Sequence, residues 1–248
     1  MEQWSHPLPT PFLFLCAQDN GSAGANNWPL KGGKTSNHEG GVRGNGFVSG
    51  GLVPPARRGV VEEGLIGVED WYATFCALAG VDPEDARAAA AGLPPIDSLD
   101  LWPLLSGQNA TSPRQEVVLG QPLVSGDNSI GDPWQGVQAL IRADGYKLVL
   151  GTTHQNVWTS PQYPNASTSW KNDAADCTAG CLYNVFTDPT EHADISASHP
   201  DIVAALKARI IFHNNTMYRP NRGTSDQKYA CGVLVNTYGG FWGPWRDL

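Results

Sequence analysis

Two groups of residues in this 248-residue sequence have the types and spacing for chemistry. The first is Asp19-Asn20-Gly21, directly after the apolar run Phe12-Leu-Phe-Leu-Cys16. In open α/β sheets, ligands bind beyond the carboxyl ends of strands. Adjacent Asp and Asn oxygens, one anionic and one neutral, suit a hard cation such as Ca²⁺ or Mg²⁺. The same tripeptide is ordinary Asx-turn chemistry, so on its own it leaves both readings open. The second group is a Gly-rich run carrying charge: Lys31-Gly-Gly-Lys34, then Glu39-Gly-Gly-Val-Arg43. Glu39 and Arg43 are suited to pair with each other or to brace this bend, and bracing is favoured over catalysis.

The cysteines add a structural expectation. Cys177 and Cys181 flank Thr-Ala-Gly and are expected to close a small disulfide ring. No His or further Cys lies close enough in sequence to complete a metal site with them. Cys16 and Cys76 read as small buried hydrophobes, and Cys231 makes the count odd. Four tripeptides fit the N-glycosylation pattern: Asn20-Gly-Ser22, Asn109-Ala-Thr111, Asn165-Ala-Ser167 and Asn214-Asn-Thr216. With the cysteine pair they point to the secretory pathway, lysosomal or extracellular. The first ten residues have no basic n-region and no long apolar h-region, so no signal peptide is expected within this chain.

The elements that must position these residues follow from periodicity. Phe12–Cys16 reads as a strand buried on both faces, as in the middle of a parallel sheet. Residues 20–55 are mostly Gly, Asn, Ser and Pro, a long irregular stretch of the kind that carries sites. Val68, Trp71, Tyr72, Phe75, Leu78 and Ala79 follow helical spacing, with Gly80 as the stop. A short Ala-rich helix capped by Asp82 is expected over 83–91. Strands are expected at 116–119, 137–142, 146–150 and 182–186, the middle two joined by Asp144-Gly145 as a hairpin. A helix capped by Ser198 then aligns Ile202, Leu206 and Ile210 on one face.

The sequence beyond Asp19 resembles a known family. Asp19-Asn20-Gly21, Asn27-Trp28-Pro29-Leu30-Lys31-Gly32-Gly33-Lys34 and Glu39-Gly40-Gly41-Val42-Arg43 resemble a signature region of the sulfatases, most like arylsulfatase B (N-acetylgalactosamine-4-sulfatase). The resemblance continues through Leu99-Asp100-Leu101-Trp102-Pro103-Leu104, Gly145-Tyr-Lys-Leu-Val149 and Cys181-Leu-Tyr-Asn-Val-Phe-Thr-Asp-Pro-Thr-Glu191 to Gly243-Pro244-Trp245. It implies that Asp19 and Asn20 are two ligands of a catalytic Ca²⁺ and that Lys34 binds the substrate sulfate. A dication and a nearby ammonium would stabilise the charge that grows on a sulfate ester in the transition state. Lys31 reads as a surface residue, His38 as a loop histidine, and His199 and His213 as surface.

The resemblance implies an α/β fold: the C-terminal part of an alkaline-phosphatase-like sulfatase domain, then a small α+β domain with an antiparallel sheet and a C-terminal helix. The expected division is 1–10 unassigned, 11–112 within the catalytic domain with its metal-site loop, and 113–248 as the small domain with helix and aromatic tail. Sulfatases use a cysteine, oxidised to formylglycine, within Cys-x-Pro-x-Arg. None of the five cysteines here is followed by Pro two residues on. The expectation is a C-terminal portion of a calcium-dependent sulfuric ester hydrolase, without its nucleophile. The expected partner is sulfated carbohydrate or an aryl sulfate. A non-catalytic secreted module binding glycan or a partner is the rival. The formal charge of −8, with no dense Lys/Arg cluster, argues against nucleic acid. No apolar run approaches the roughly 18 residues of a membrane span.

Overall fold

Alternation of side chains builds the sheet that organises this protein. A computed structural model describes residues 12–17, 27–34, 36–120, 138–153, 157–158, 175–216 and 227–243. Strands β3 (Glu116–Gly120), β4 (Gln138–Arg142), β5 (Tyr146–Thr153) and β6 (Ala175–Asn184) form an antiparallel sheet in that order. Leu140, Leu148 and Leu182 point to one face and pack on Leu206 and Ile210 of a 17-residue helix, Pro200–Thr216. The apolar spacing of that helix is thus spent on the sheet, as expected. Ala139, Val149 and Tyr183 cluster on the opposite face. Lys147 is paired with Tyr183 across β5 and β6 and shares that face.

The expected strand positions hold at β3 and β4, whereas β5 runs longer and β6 begins earlier, at Ala175, and ends at Asn184, short of the expected Phe186. The extra length of β6 contains the disulfide. Cys181 lies opposite Val149 and Cys177 opposite Gly151, so three residues of β6 face only Leu150 of β5. The Cys177–Cys181 bond closes this bulge, with its Cα atoms 5.1 Å apart. The Asp144-Gly145 turn forms as expected, with Gly145 at φ +86°, a conformation that favours glycine.

Before the sheet come β1 (Phe14–Ala17), α1 (Glu39–Val42), β2 (Gly46–Ser49), α2 (Asp70–Ala79), α3 (Ala86–Ala90) and α4 (Trp102–Leu105). The expectation for β1 is overturned. It pairs antiparallel with β2 in a two-stranded ribbon, and Phe12, Phe14 and Cys16 are exposed. A continuous apolar run predicts cover on both faces, but among the described residues only β2 pairs with it.

Helix α2 is also turned from its expected orientation. Its buried residues are Asp70, Ala73 and Thr74, whereas Tyr72 and Phe75 are exposed and Cys76 is half-buried. Hydrogen bonding decides this orientation. The Asp70 carboxylate accepts from the N–H of Gly67 at 2.8 Å and of Leu99 at 2.9 Å, and pairs with the Arg114 guanidinium. Thr74 Oγ1 accepts from Leu101 N–H at 2.9 Å. A buried carboxylate so fully satisfied outweighs the apolar stripe. Helix α3 is capped by Asp85, not Asp82, because Asp85 accepts from the N–H groups of Arg87 and Ala88.

The long helix, α5 (Pro200–Thr216), begins at Pro200, while Ser198 sits in a preceding turn of 3₁₀ helix. By its contacts the chain divides into two units: 1–123 with 132–216, and 124–131 with 217–248. The second unit contains α6 (Gln227–Asn236), followed by a turn in which Gly239 and Gly240 have positive φ. Among the described residues, no helix is long and apolar enough to cross a membrane.

Candidate functional site

Lys34 is carried at the exposed apex of a tightly folded loop. Two glycines make the fold of that loop possible. A Cβ on Gly40 would lie 2.5 Å from the Gly32 carbonyl oxygen. A Cβ on Gly41 would lie 2.3 Å from Ser36 O and 2.4 Å from Gly33 O. Only glycine permits this backbone approach. Gly40 N–H donates to Lys31 O at 2.7 Å, and Ser36 N–H to Gly33 O at 2.9 Å. Asn27 Nδ2 donates to Gly32 O at 3.0 Å, and Gly32 N–H to Val157 O at 2.9 Å.

Beneath this loop lies a buried ionic cluster on the sheet face opposite α5. Lys147 Nζ is 2.8 Å from Glu39 Oε1 and 3.0 Å from Glu191 Oε1. Glu191 Oε2 accepts from the Glu39 N–H at 2.7 Å. His38 Nδ1 lies 3.4 Å from Glu191 Oε1, close enough to pair by charge but short of hydrogen-bond geometry, and the ring is wholly buried. Lys31 Nζ donates to Tyr183 Oη at 3.4 Å and lies 4.8 Å from the Trp158 ring centroid and 5.1 Å from that of Tyr183.

Burial and charge set the protonation of the cluster. Burial on its own would raise the Glu191 pKa. The Lys147 ammonium, His38 and the Glu39 N–H together outweigh it and hold the carboxyl at about 2. Burial lowers His38, although Glu191 opposes the shift. Burial likewise lowers Lys31, against the pull of Glu191. Tyr183 is raised, first by burial and then by Asp194, Glu191 and Asp188.

The sequence-predicted residues fare unequally. Lys34 is exposed on its loop, while Asp19 and Asn20 lie outside the described residues. Glu39 braces the bend as expected, but its partner is Lys147, and Arg43 is exposed. Lys31 is 4% exposed, so its reading as a surface residue is corrected: the aromatic pair and the Tyr183 hydroxyl offset its burial. His38 is a buried member of the cluster, not a bland loop residue. His213 is half-buried and bonds Glu116 at 2.7 Å.

Lys147 and Glu191 were not singled out by residue chemistry. The available signal for Lys147 was a lysine at an inward position of an alternating strand. For Glu191 it was the Asp188-Pro189-Thr190-Glu191 segment that carries the resemblance. Among the described residues, no group of three or more His, Cys, Asp or Glu side chains is arranged to hold a metal ion. The described residues therefore do not make a calcium site by themselves.

Comparison with known proteins gives these features a family. No protein-family model matches the chain. Arylsulfatase J of Mus musculus is 31% identical over 253 aligned residues, which take in 94% of this chain and 39% of that protein. A sulfatase of Pseudoalteromonas sp., PsFucS1, superposes with a TM-score of 0.55 at 25% identity, covering 83% of this chain and 37% of its own. Ps i-CgsB, solved in complex with k-i-k-neocarrahexaose, gives a TM-score of 0.57 at 20% identity over 92% of this chain and 42% of its own, a likeness of fold. The chain spans about two-fifths of the length of these proteins. In sequence and in fold, this chain matches the sulfatases over part of their length.

Proposed function

We propose that this chain is the C-terminal portion of an arylsulfatase-like sulfuric ester hydrolase and that Lys34 is its sulfate-binding group. The observation that carries the reading is Lys34 itself: an exposed lysine on a glycine-locked loop, in a chain aligned with arylsulfatase J. An ammonium suits a tetrahedral oxyanion, because it pairs with the charge and donates hydrogen bonds to the oxygens. The substrate class proposed is sulfated carbohydrate, and the compartment is the secretory pathway.

The activity belongs to a longer assembly than this chain. No cysteine in the sequence stands in Cys-x-Pro-x-Arg, so the nucleophile must come from elsewhere. Calcium dependence is part of the proposal. Asp19 and Asn20 would give two of the roughly six to eight oxygens Ca²⁺ takes, so the chain alone binds it weakly. The missing motif also favours a second reading, a non-catalytic module that retains the anion-binding loop. Incubation with a chromogenic aryl sulfate and Ca²⁺ tests the catalytic half of the proposal. No turnover above buffer is expected, and hydrolysis abolished by Lys34→Ala would contradict the absence of the nucleophile.

A further inference from the structure

We propose that Glu191 is a positioning residue for Lys34, acting across 152 residues of sequence through the backbone of α1. The proposal rests on the reading of Lys34 as the sulfate-binding group. Each link in the connection is a contact. Glu191 Oε2 takes the N–H of Glu39 at 2.7 Å, and Glu191 Oε1 holds the Lys147 ammonium that also binds Glu39. The next two residues, Gly40 and Gly41, are pressed on the carbonyls of Lys31, Gly32, Gly33 and Ser36. Those carbonyls flank Lys34 on both sides.

Two features separate this role from that of a simple counter-ion. First, one of the two Glu191 oxygens is spent on the Glu39 N–H at 2.7 Å, and only the other faces the Lys147 ammonium. Second, Glu191 has φ 54°, the one positive φ on a non-glycine residue among the described residues. A left-handed backbone at glutamate is costly and persists where surrounding contacts over-determine it. Here it aims a buried carboxylate at a backbone N–H of another element. The glycine contacts leave no slack between α1 and the loop, so a displaced α1 displaces Lys34 rather than being absorbed.

The test uses the full chain and inorganic sulfate, titrated at low ionic strength and followed by amide NMR shifts. Glu191→Ala is expected to weaken Lys34-dependent sulfate binding by roughly tenfold. Glu191→Gln, which keeps an oxygen for the Glu39 N–H, is expected to retain affinity within about threefold of the parent. In a Lys34→Ala background, neither change should alter the residual binding. Equal affinity in Glu191→Ala and the parent, or an equal loss with and without Lys34, would overturn the proposal.

If Glu191→Ala does not fold, Gly41→Ala acts on the same connection from the loop side. It is expected to cause a similar loss of affinity with the sheet resonances unmoved, and an unchanged affinity would overturn the proposal. If the parent shows no Lys34-dependent binding, the sulfate reading has failed by itself. The positional link is then read from hydrogen exchange at Gly32, Gly33 and Ser36. Exchange there should quicken at least about tenfold in Glu191→Ala relative to β4 and β5, and unchanged exchange would overturn the link.

Discussion

The ammonium of Lys147 lies 2.8 Å from the carboxylate of Glu39, 108 residues away in sequence, and both side chains are buried. This pair, shared with Glu191, joins the Gly-rich loop to the four-stranded sheet. Breaking a buried pair from one side leaves a charge without compensation, which costs about 3–5 kcal/mol. Lys147→Met is therefore expected to destabilise the fold by about 3 kcal/mol or more in urea titrations. Replacing Lys147, Glu39 and Glu191 together by Met, Gln and Gln should recover part of that loss, because neither carboxylate is then left buried without the Lys147 ammonium.

Acid should loosen the same cluster. Glu191 is held at about 2, below its ordinary 4.5. Its contribution is therefore present above pH 4.5 and is lost as pH falls from 4.5 towards 2. His38 is lowered from 6.5, so below pH 6.5 the unfolded chain takes up a proton that the native ring does not. Both shifts have the same sign. Stability should decline below pH 6.5 and more steeply below 4.5. His38→Gln should flatten the decline between pH 6.5 and 4.5, as measured by thermal unfolding across that range.

The orientation of α2 makes a prediction opposite to its hydrophobic pattern. Asp70 is fully buried and Phe75 is 44% exposed. Asp70→Asn should cost about 3 kcal/mol, because the Arg114 guanidinium loses the fully buried one of its two carboxylate partners and keeps only Glu69, at 3.2 Å. Phe75→Ser should cost less than about 1 kcal/mol, well short of the 3–5 kcal/mol of a truncated core aromatic. Chemical denaturation of the two variants distinguishes these outcomes.

Glycosylation should discriminate between sequons. Asn109 is exposed in the turn after α4, whereas Asn214 lies within α5 and donates to Gln138 Oε1 at 2.6 Å. Secretory expression should place a glycan on Asn109 and none on Asn214, as read by peptide mass spectrometry.

Much of this arrangement was legible in the sequence, and the exceptions share a cause. The β-prone runs on either side of Asp144-Gly145 located β4 and β5, and the i, i+4, i+8 spacing of Ile202, Leu206 and Ile210 gave the helix that covers them. The Cys177–Cys181 ring was readable because the two residues are close in sequence. Lys31, Lys147 and Glu191 were not, because their burial depends on partners more than a hundred residues away. Composition cannot announce such a partner. For α2, periodicity weighed apolar side chains and gave no weight to the hydrogen bonds of Asp70 and Thr74. For β1, a two-face apolar run implied neighbours that the described residues do not include.

Lys34 as the sulfate-binding group is the role on which all of this turns. Its most direct test is a titration of the chain with inorganic sulfate, followed by amide shifts at Gly33, Lys34 and Ser36 and repeated on Lys34→Ala. Saturable shifts at Gly33 and Ser36 are expected in the parent and should vanish in the variant. Identical shifts in both proteins, or none in the parent, would contradict it.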